Sequence, residues 1–248
     1  MNETIAQLKR RKSVRIFEDR LLPSEIKDAI LDSAFQAPTA GAMMLYSIID
    51  VTDQKLKEKL SVACDNQPFI AKAPLVLIFL ADYQRWFDTF TYAGCDTRKP
   101  SEGDLLLACA DAVIAAQNSV VAAESLGVGS CYIGDILENQ ETVTELLNLP
   151  DYVFPAAMLV YGFPAKSQLA RRKPVRFDQE YIVHENSYRK FTPEEHTQMH
   201  SRLNEKAGTS GKNNVESIRA FCARKYMSDF SLEMNRSAKK YIEKFRNT

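Results

Sequence analysis

The densest set of chemistry-bearing side chains in this sequence is Arg10-Arg11-Lys12-Ser13-Val14-Arg15, four cations and a hydroxyl in six residues. Such a set suits a phosphate, because an arginine grips two oxygens at once and a serine donates a further hydrogen bond. A solvated basic helix end is the plain alternative. A second basic set, Arg171, Arg172, Lys173 and Arg176, lies far along the chain and could converge on the same anion. His196 and His200 are spaced i,i+4 like a metal pair, but neither a third ligand nor the glutamate of HExxH accompanies them. A surface helix is the simpler reading. Five cysteines (Cys64, Cys95, Cys109, Cys131 and Cys222) are scattered without a CxxC, so neither a disulfide framework nor a zinc knuckle is indicated. Cys109 and Cys131 fall in apolar runs, where a thiol behaves as a small hydrophobe. GxGxxG, GxxxxGK[ST] and GxSxG are all missing, which argues against a Rossmann site, a P-loop and a serine hydrolase. Phosphate-grade cations without a nucleophile, triad or metal set point to chemistry delegated to a bound cofactor.

The elements that must position these residues are legible in outline. The 248-residue chain balances 32 Lys+Arg against 32 Asp+Glu, so it lacks the basic excess of a general nucleic-acid binder. With 45% hydrophobic and 26% charged residues it has the composition of a globular chain with a sizeable core. The N-terminus has no apolar h-region, so no secretory signal is expected and the cytoplasm is the expected compartment. Short apolar runs at 45–52, 74–81, 129–133 and 156–162 read as strands covered on both faces. Helical patterns lie between them: 23–35 with Ser24 as N-cap, 54–64 and 139–147. Residues 105–123 form one long buried helix ended by Gly127. Asp111, Gln117 and Asn118 interrupt this stretch, so it falls short of a membrane span. Its small residues, Ala108, Ala110, Ala112, Ala115 and Ala116, would let another helix approach closely, within the monomer's core or from a second subunit. Residues 166–176 read as a loop, and 193–205, 214–225 and 228–245 as helices. Strands alternating with helices indicate an α/β or α+β sandwich, here one domain with a helical C-terminal extension.

Several segments, in order, resemble the nitroreductase/flavin reductase family, and within it the oxygen-insensitive nitroreductase branch. They are Arg11-Lys12-Ser13-Val14-Arg15-Ile16-Phe17, Ala37-Pro38-Thr39 followed by Gly41, Gln67, and the stretch from Asp111 through Gly127 into Gly129-Ser130-Cys131-Tyr132-Ile133-Gly134. Val183-His184-Glu185-Asn186-Ser187-Tyr188 completes the set. The resemblance implies an α+β fold: a nitroreductase-like sandwich whose central, mostly antiparallel sheet is flanked by helices. Residues 1–190 would form the FMN-binding domain, and 191–248 a helical extension of it. It further implies a homodimer with FMN at the subunit interface. Arg11, Lys12, Ser13 and Arg15 resemble the N-terminal phosphate and ribityl contacts, and Lys173 with Arg176 a second phosphate clamp. Thr39, Ala40 and Gly41 would run beside the flavin. Gln67 matches a glutamine that hydrogen-bonds its ring, and Tyr132, Ile133, Gly134 and Asp135 the strand end against its far face.

The activity implied is NAD(P)H-dependent, ping-pong reduction of a small-molecule acceptor, such as a nitroaromatic or a quinone, with no catalytic side chain of its own. A flavin reductase supplying free reduced FMN, and a flavin store without turnover, are the rival readings. Two departures from the family pattern stand out. Ala42, Met43 and Met44 replace polar residues of the flavin loop. In the region expected to meet the 2′-phosphate of NADPH, Lys212 is the only loop cation, with Arg219 further on, so the choice between NADH and NADPH stays open.

Overall fold

The computed structural model of the chain describes residues 2–209 and 214–246. In chain order the elements are α1 (Glu3–Arg10), α2 (Ser24–Phe35), β1 (Tyr46–Asp50), α3 (Gln54–Ala63), α4 (Pro68–Ala71), β2 (Leu75–Asp82), α5 (Gln84–Tyr92) and α6 (Glu102–Ser125). There follow β3 (Gly129–Ile133), α7 (Gln140–Leu147), β4 (Val153–Gly162), α8 (Lys166–Leu169), α9 (Pro193–Ala207), α10 (Asn214–Phe221) and α11 (Asp229–Lys244). They divide into two compact units, Met1–Arg171 with Leu232–Thr248, and Arg172–Ser231. The last helix from Leu232 onward belongs to the first unit.

The first unit is built on a four-stranded antiparallel sheet in the order β1-β2-β4-β3. Every position of β2 is buried, because helices cover both faces of the sheet; its one polar residue, Asp82, ends the strand and accepts from the Arg85 amide at 3.1 Å. Val76, Ile78 and Leu80 pack with Leu60, Ile70, Val143 and Tyr241 on one face. Leu75, Leu77 and Phe79 pack with Ile30, Ala112, Ala115 and Ala116 on the other. This two-residue alternation is what the pleat requires.

Helix α6 is long and apolar enough to cross a bilayer by length and composition. One stripe of it lies against the sheet, with Ala112, Ala115, Ala116, Val120 and Ala123 fully buried. The small residues thus serve the approach of α6 to its own sheet. Of the five alanines singled out in the sequence, Ala108, Ala112, Ala115 and Ala116 are buried within the chain, and Ala110 alone is exposed. The opposite stripe is apolar too. Leu106, Leu107, Val113 and Ile114 are 71%, 45%, 44% and 40% exposed.

The N-terminal segment after α1 is laid along the edge of β3. Ser13 forms a parallel bridge with Ser130, the Val14 amide donates to the Ser130 carbonyl at 2.9 Å, and Phe17 bridges Pro164. Two strand glycines admit it. A Cβ on Gly129 would stand 2.6 Å from Val14 Cγ2, and one on Gly162 would stand 2.7 Å from Phe17 Cδ1.

Within the second unit, α9 opens with a capping box of Thr192 and Glu195. Lys206 and Arg202 of α9 form salt bridges to Asp178 and Glu180. His200 and His196 sit edge-on against Phe177 and Phe191, at ring-centroid distances of 5.7 and 5.8 Å.

Substituting Gly129→Ala is expected to destabilise the protein by about 1–3 kcal/mol, the usual consequence of overpacking. Val14 is β-branched, and its own Cβ would lie 2.8 Å from the new methyl, so rotation about χ1 gives little relief. Urea unfolding measures the change, and a midpoint equal to the wild type would show that the segment is not seated on Gly129.

Candidate functional site

An extended segment turns alternate side chains to opposite sides. Bridged at Ser13, the segment therefore separates Arg11, Ser13 and Arg15 from Lys12 and Val14. The first three gather around Cys131 on β3. Burial raises the thiol pKa of Cys131, while Arg15, Ser13 and Arg11 pull it back. Arg11 Nε is buried without a hydrogen-bond partner, and Arg15 lies over the Phe69 ring at 5.9 Å. A buried guanidinium nitrogen left unpaired is costly unless an anionic acceptor meets it. Lys12 is committed elsewhere: its Nζ donates to the Leu169 carbonyl at 2.7 Å and to the Arg171 carbonyl. These bonds tie Lys12 to the end of α8.

Along β3 the edge continues to Tyr132, Ile133, Gly134 and Asp135. Tyr132 is half-buried, its hydroxyl donates to Gln117 Oε1 at 3.3 Å, and burial raises its pKa to about 12. Ile133 is buried in the core, so only its backbone is available to a ligand, whereas Gly134 is exposed. Asp135 accepts from Gln67 Nε2 at 2.8 Å. Arg11, Ser13, Arg15, Cys131, Asp135 and Gln67 thus share one continuous edge, closed by the contact of Arg15 with Phe69, two residues beyond Gln67.

The loop holding Thr39, Ala40 and Gly41 is fastened to α6. Asp111 is buried in that helix, and its carboxylate accepts from the Thr39 hydroxyl, from the Ala40 amide at 3.1 Å and from the Leu45 amide at 3.1 Å. The Met44 amide donates to Thr39 Oγ1 at 2.8 Å. From α5, Trp86 Nε1 donates to the Met43 carbonyl at 2.7 Å, and Arg85 donates to the Met44 carbonyl. Gly41, Ala42 and Met44 all have left-handed φ, at 54°, 57° and 50°. Only glycine adopts that conformation without strain, so the two other residues are held there by these contacts. Asp111 entered the sequence reading as an interruption of an apolar run and as the start of a segment shared with the family, with no role of its own. A lone carboxylate in an otherwise alanine-rich buried stripe was the signal that it holds something.

Lys173 and Arg176 lie in the second unit. Lys173 is half-buried and Arg176 exposed, with Arg176 Nη1 donating to the Pro174 carbonyl at 2.8 Å. Arg219 lies in the last turn of α10. Lys212 falls outside the described residues.

The model described as "Nitroreductase family" matches residues 8–163. An FMN reductase (NADPH) of Bacillus subtilis (strain 168) is 38% identical over 190 residues, covering 76% of this chain and 75% of that protein. A Cr(VI) reductase of Pseudomonas sp. (strain G-1) is 33% identical over 230 residues, covering 92% of each. Among solved structures, B. megaterium NfrA2 superposes with a TM-score of 0.81 at 29% identity, over 97% of this chain and 98% of that one.

Replacing Asp111 with Ala would strand two backbone amides and the Thr39 hydroxyl in a buried setting, where each unsatisfied group costs about 1–3 kcal/mol. The expected result is a lowered unfolding midpoint and rapid proteolysis within residues 39–45. Asp111→Asn, which keeps one acceptor oxygen, is expected to fall between the two. A loop as protease-resistant as in the wild type would show that Asp111 does not fasten it.

Proposed function

The chain belongs to the nitroreductase family and is an FMN-dependent NAD(P)H oxidoreductase, and we propose that the β3 edge is where it holds the flavin and that nitroaromatics or quinones are its acceptors. The observation that carries this reading is the gathering of Arg11, Ser13 and Arg15 beside Cys131, with the buried Arg11 Nε left without a partner. A phosphate monoester fits that donor set, since two guanidinium groups and a hydroxyl match its oxygens in charge and number. Bound there, FMN would supply the hydride chemistry between NAD(P)H and an acceptor. The protein's own part is positional. The arginines hold the phosphate, and Gln67 offers its amide to the ring. Among the proposed contacts, residues 39–41 contribute a loop that Asp111, Arg85 and Trp86 keep from moving. Rigid donors of this kind lower barriers by orienting reactants rather than by acting on them. Lys173 and Arg176 are proposed as the second phosphate clamp, and Lys212 with Arg219 as the cations that meet NAD(P)H.

The exposed stripe of α6 supports a homodimer. Leu106, Ala110, Val113 and Ile114 recur at helical spacing, and such an exposed apolar stripe over residues 106–114 fits a second copy of itself. A cytoplasmic location accords with five free cysteines. A flavin reductase that releases reduced FMN is the second reading, favoured by the FMN reductase (NADPH) among the relatives. Steady-state turnover with free FMN against a nitroaromatic separates the two.

Purified protein is expected to be yellow. Arg15→Ala is expected to weaken FMN binding at least tenfold, since a charge-assisted phosphate contact is worth about 1.5–3 kcal/mol. Flavin retained equally by both proteins after dialysis would refute the phosphate assignment. For the interface, Ile114→Arg places a charge on the exposed stripe without touching the core. Sedimentation is expected to convert a dimer into a folded monomer that has lost most of its FMN, and an unchanged dimer would refute the α6 interface.

A further inference from the structure

We infer that Glu138 is a positioning residue for the flavin site, holding Gln67 in place through Asp135 only while Glu138 keeps its proton. The inference rests on the reading of Gln67 as a flavin contact given above.

Gln67 is fixed from several sides. Its amide donates to the Ser61 carbonyl at 2.9 Å, and Ser61 Oγ donates to its carbonyl at 2.8 Å. The two preceding residues, Asp65 and Asn66, both have left-handed φ, 57° and 50°, so the chain enters Gln67 through a sharp, strained turn. Its side-chain Nε2 donates to the Cys64 carbonyl at 2.9 Å and to Asp135 Oδ2 at 2.8 Å. Those partners are acceptors only, which fixes the nitrogen toward them and leaves Oε1 as the atom a ligand can meet. The orientation of the amide therefore depends on Asp135.

Behind Asp135 lies Glu138, 4% exposed, with Oε1 buried and without a partner. The charged groups that face it are carboxylates from three elements: Asp135 on its own turn, Asp65 after α3, and Glu233 on α11. Cys64, fully buried, sits against the same group, and its thiol is raised by burial and then by Asp135 and Glu138. The cations Arg236 and Lys240 of α11 are both paired with Glu141, and Arg236 with Glu233 as well. Burial and then the Asp135 charge push Glu138 up to about 7. With its proton, Glu138 can donate to Asp135, which still accepts from Gln67. Without it, two carboxylates stand together in a poorly solvated place, and Asp135 is driven from its bond to Gln67. The folded pKa is raised above the unfolded value, so the contribution is fully present below about 4.5 and is lost as pH rises through about 7.

The test is FMN titration of the apo-protein by flavin fluorescence between pH 5.5 and 8.5, comparing the wild type with Glu138→Gln. Ionisation of the FMN phosphate is common to both proteins and cancels in the ratio of dissociation constants. That ratio, wild type over variant, is expected to be near one at pH 5.5 and about fivefold to tenfold at pH 8.5. Asp135→Asn should remove the pH dependence contributed by Glu138, since the repelling neighbour is gone. A flavin-free readout accompanies these: Glu138→Gln should melt above the wild type at pH 8 and level with it at pH 5. A pH-independent ratio, with Gln67→Ala losing affinity at every pH, overturns the inference and leaves the flavin contact standing. FMN affinity unchanged in Gln67→Ala refutes the contact itself, whatever the melting curves show.

Discussion

The bridge between Ser13 and Ser130, with Val14 seated on Gly129, is the fixed point from which the cationic edge is presented. A parallel bridge sets register, and in an extended chain register decides which side each residue takes. A slip of one residue would turn Lys12 and Val14 toward Cys131 and bury Arg11 and Arg15 against the strand. The two glycines that admit the segment are therefore as much a part of the site as the arginines. They hold no ligand, yet without their missing side chains the backbone of residues 13–17 could not lie close enough to hydrogen-bond.

A second constraint works through polar groups placed where apolar ones would pack more simply. Asp111 in α6, Gln7 in α1 and Gln168 in α8 are all buried, and each takes up a backbone group of another segment. Gln7 Nε2 reaches the Val121 carbonyl, and Gln168 Oε1 accepts from the Arg15 amide at 3.3 Å. Such bonds contribute modest net energy but leave a large penalty if broken. They select one arrangement of loop against helix where hydrophobic contact alone would allow several.

The elements most legible in the sequence were those buried on two sides. The run at 129–133 coincides with β3, and 74–81 differs from β2 by one residue at each end. Two helices carried no such signal. In α1 only Gln7 is buried, and in α5 no residue is, so the apolar side of each short helix is only partly covered. Ser24 has the chemistry of an N-cap, yet Pro23 takes that position and no side chain caps α2, which moves the boundary by one residue. At the site, the basic cluster was visible as composition. The bridge that sets Arg11, Ser13 and Arg15 apart from Lys12 was not, because it is made to a strand more than a hundred residues away. Glu138 carries no signal in the sequence, because the carboxylates beside it come from its own turn, from the residues after α3 and from α11.

The first compact unit is discontinuous, leaving at Arg171 and resuming at Leu232. The returning segment brings Tyr241 into the core beside the sheet, edge-on to Phe154 at 5.1 Å, and Phe245 beside Tyr152 at 5.6 Å. During synthesis these rings leave the ribosome after all four strands. Until then the sheet has all four strands but lacks two aromatic side chains of its core, and residues 172–231 must emerge in the interval. Ribosome-bound chains would thus wait, strands formed and core unsealed, in a window open to chaperones and proteases. Closure is a long-range event, whose loop entropy slows folding more than it weakens the finished protein.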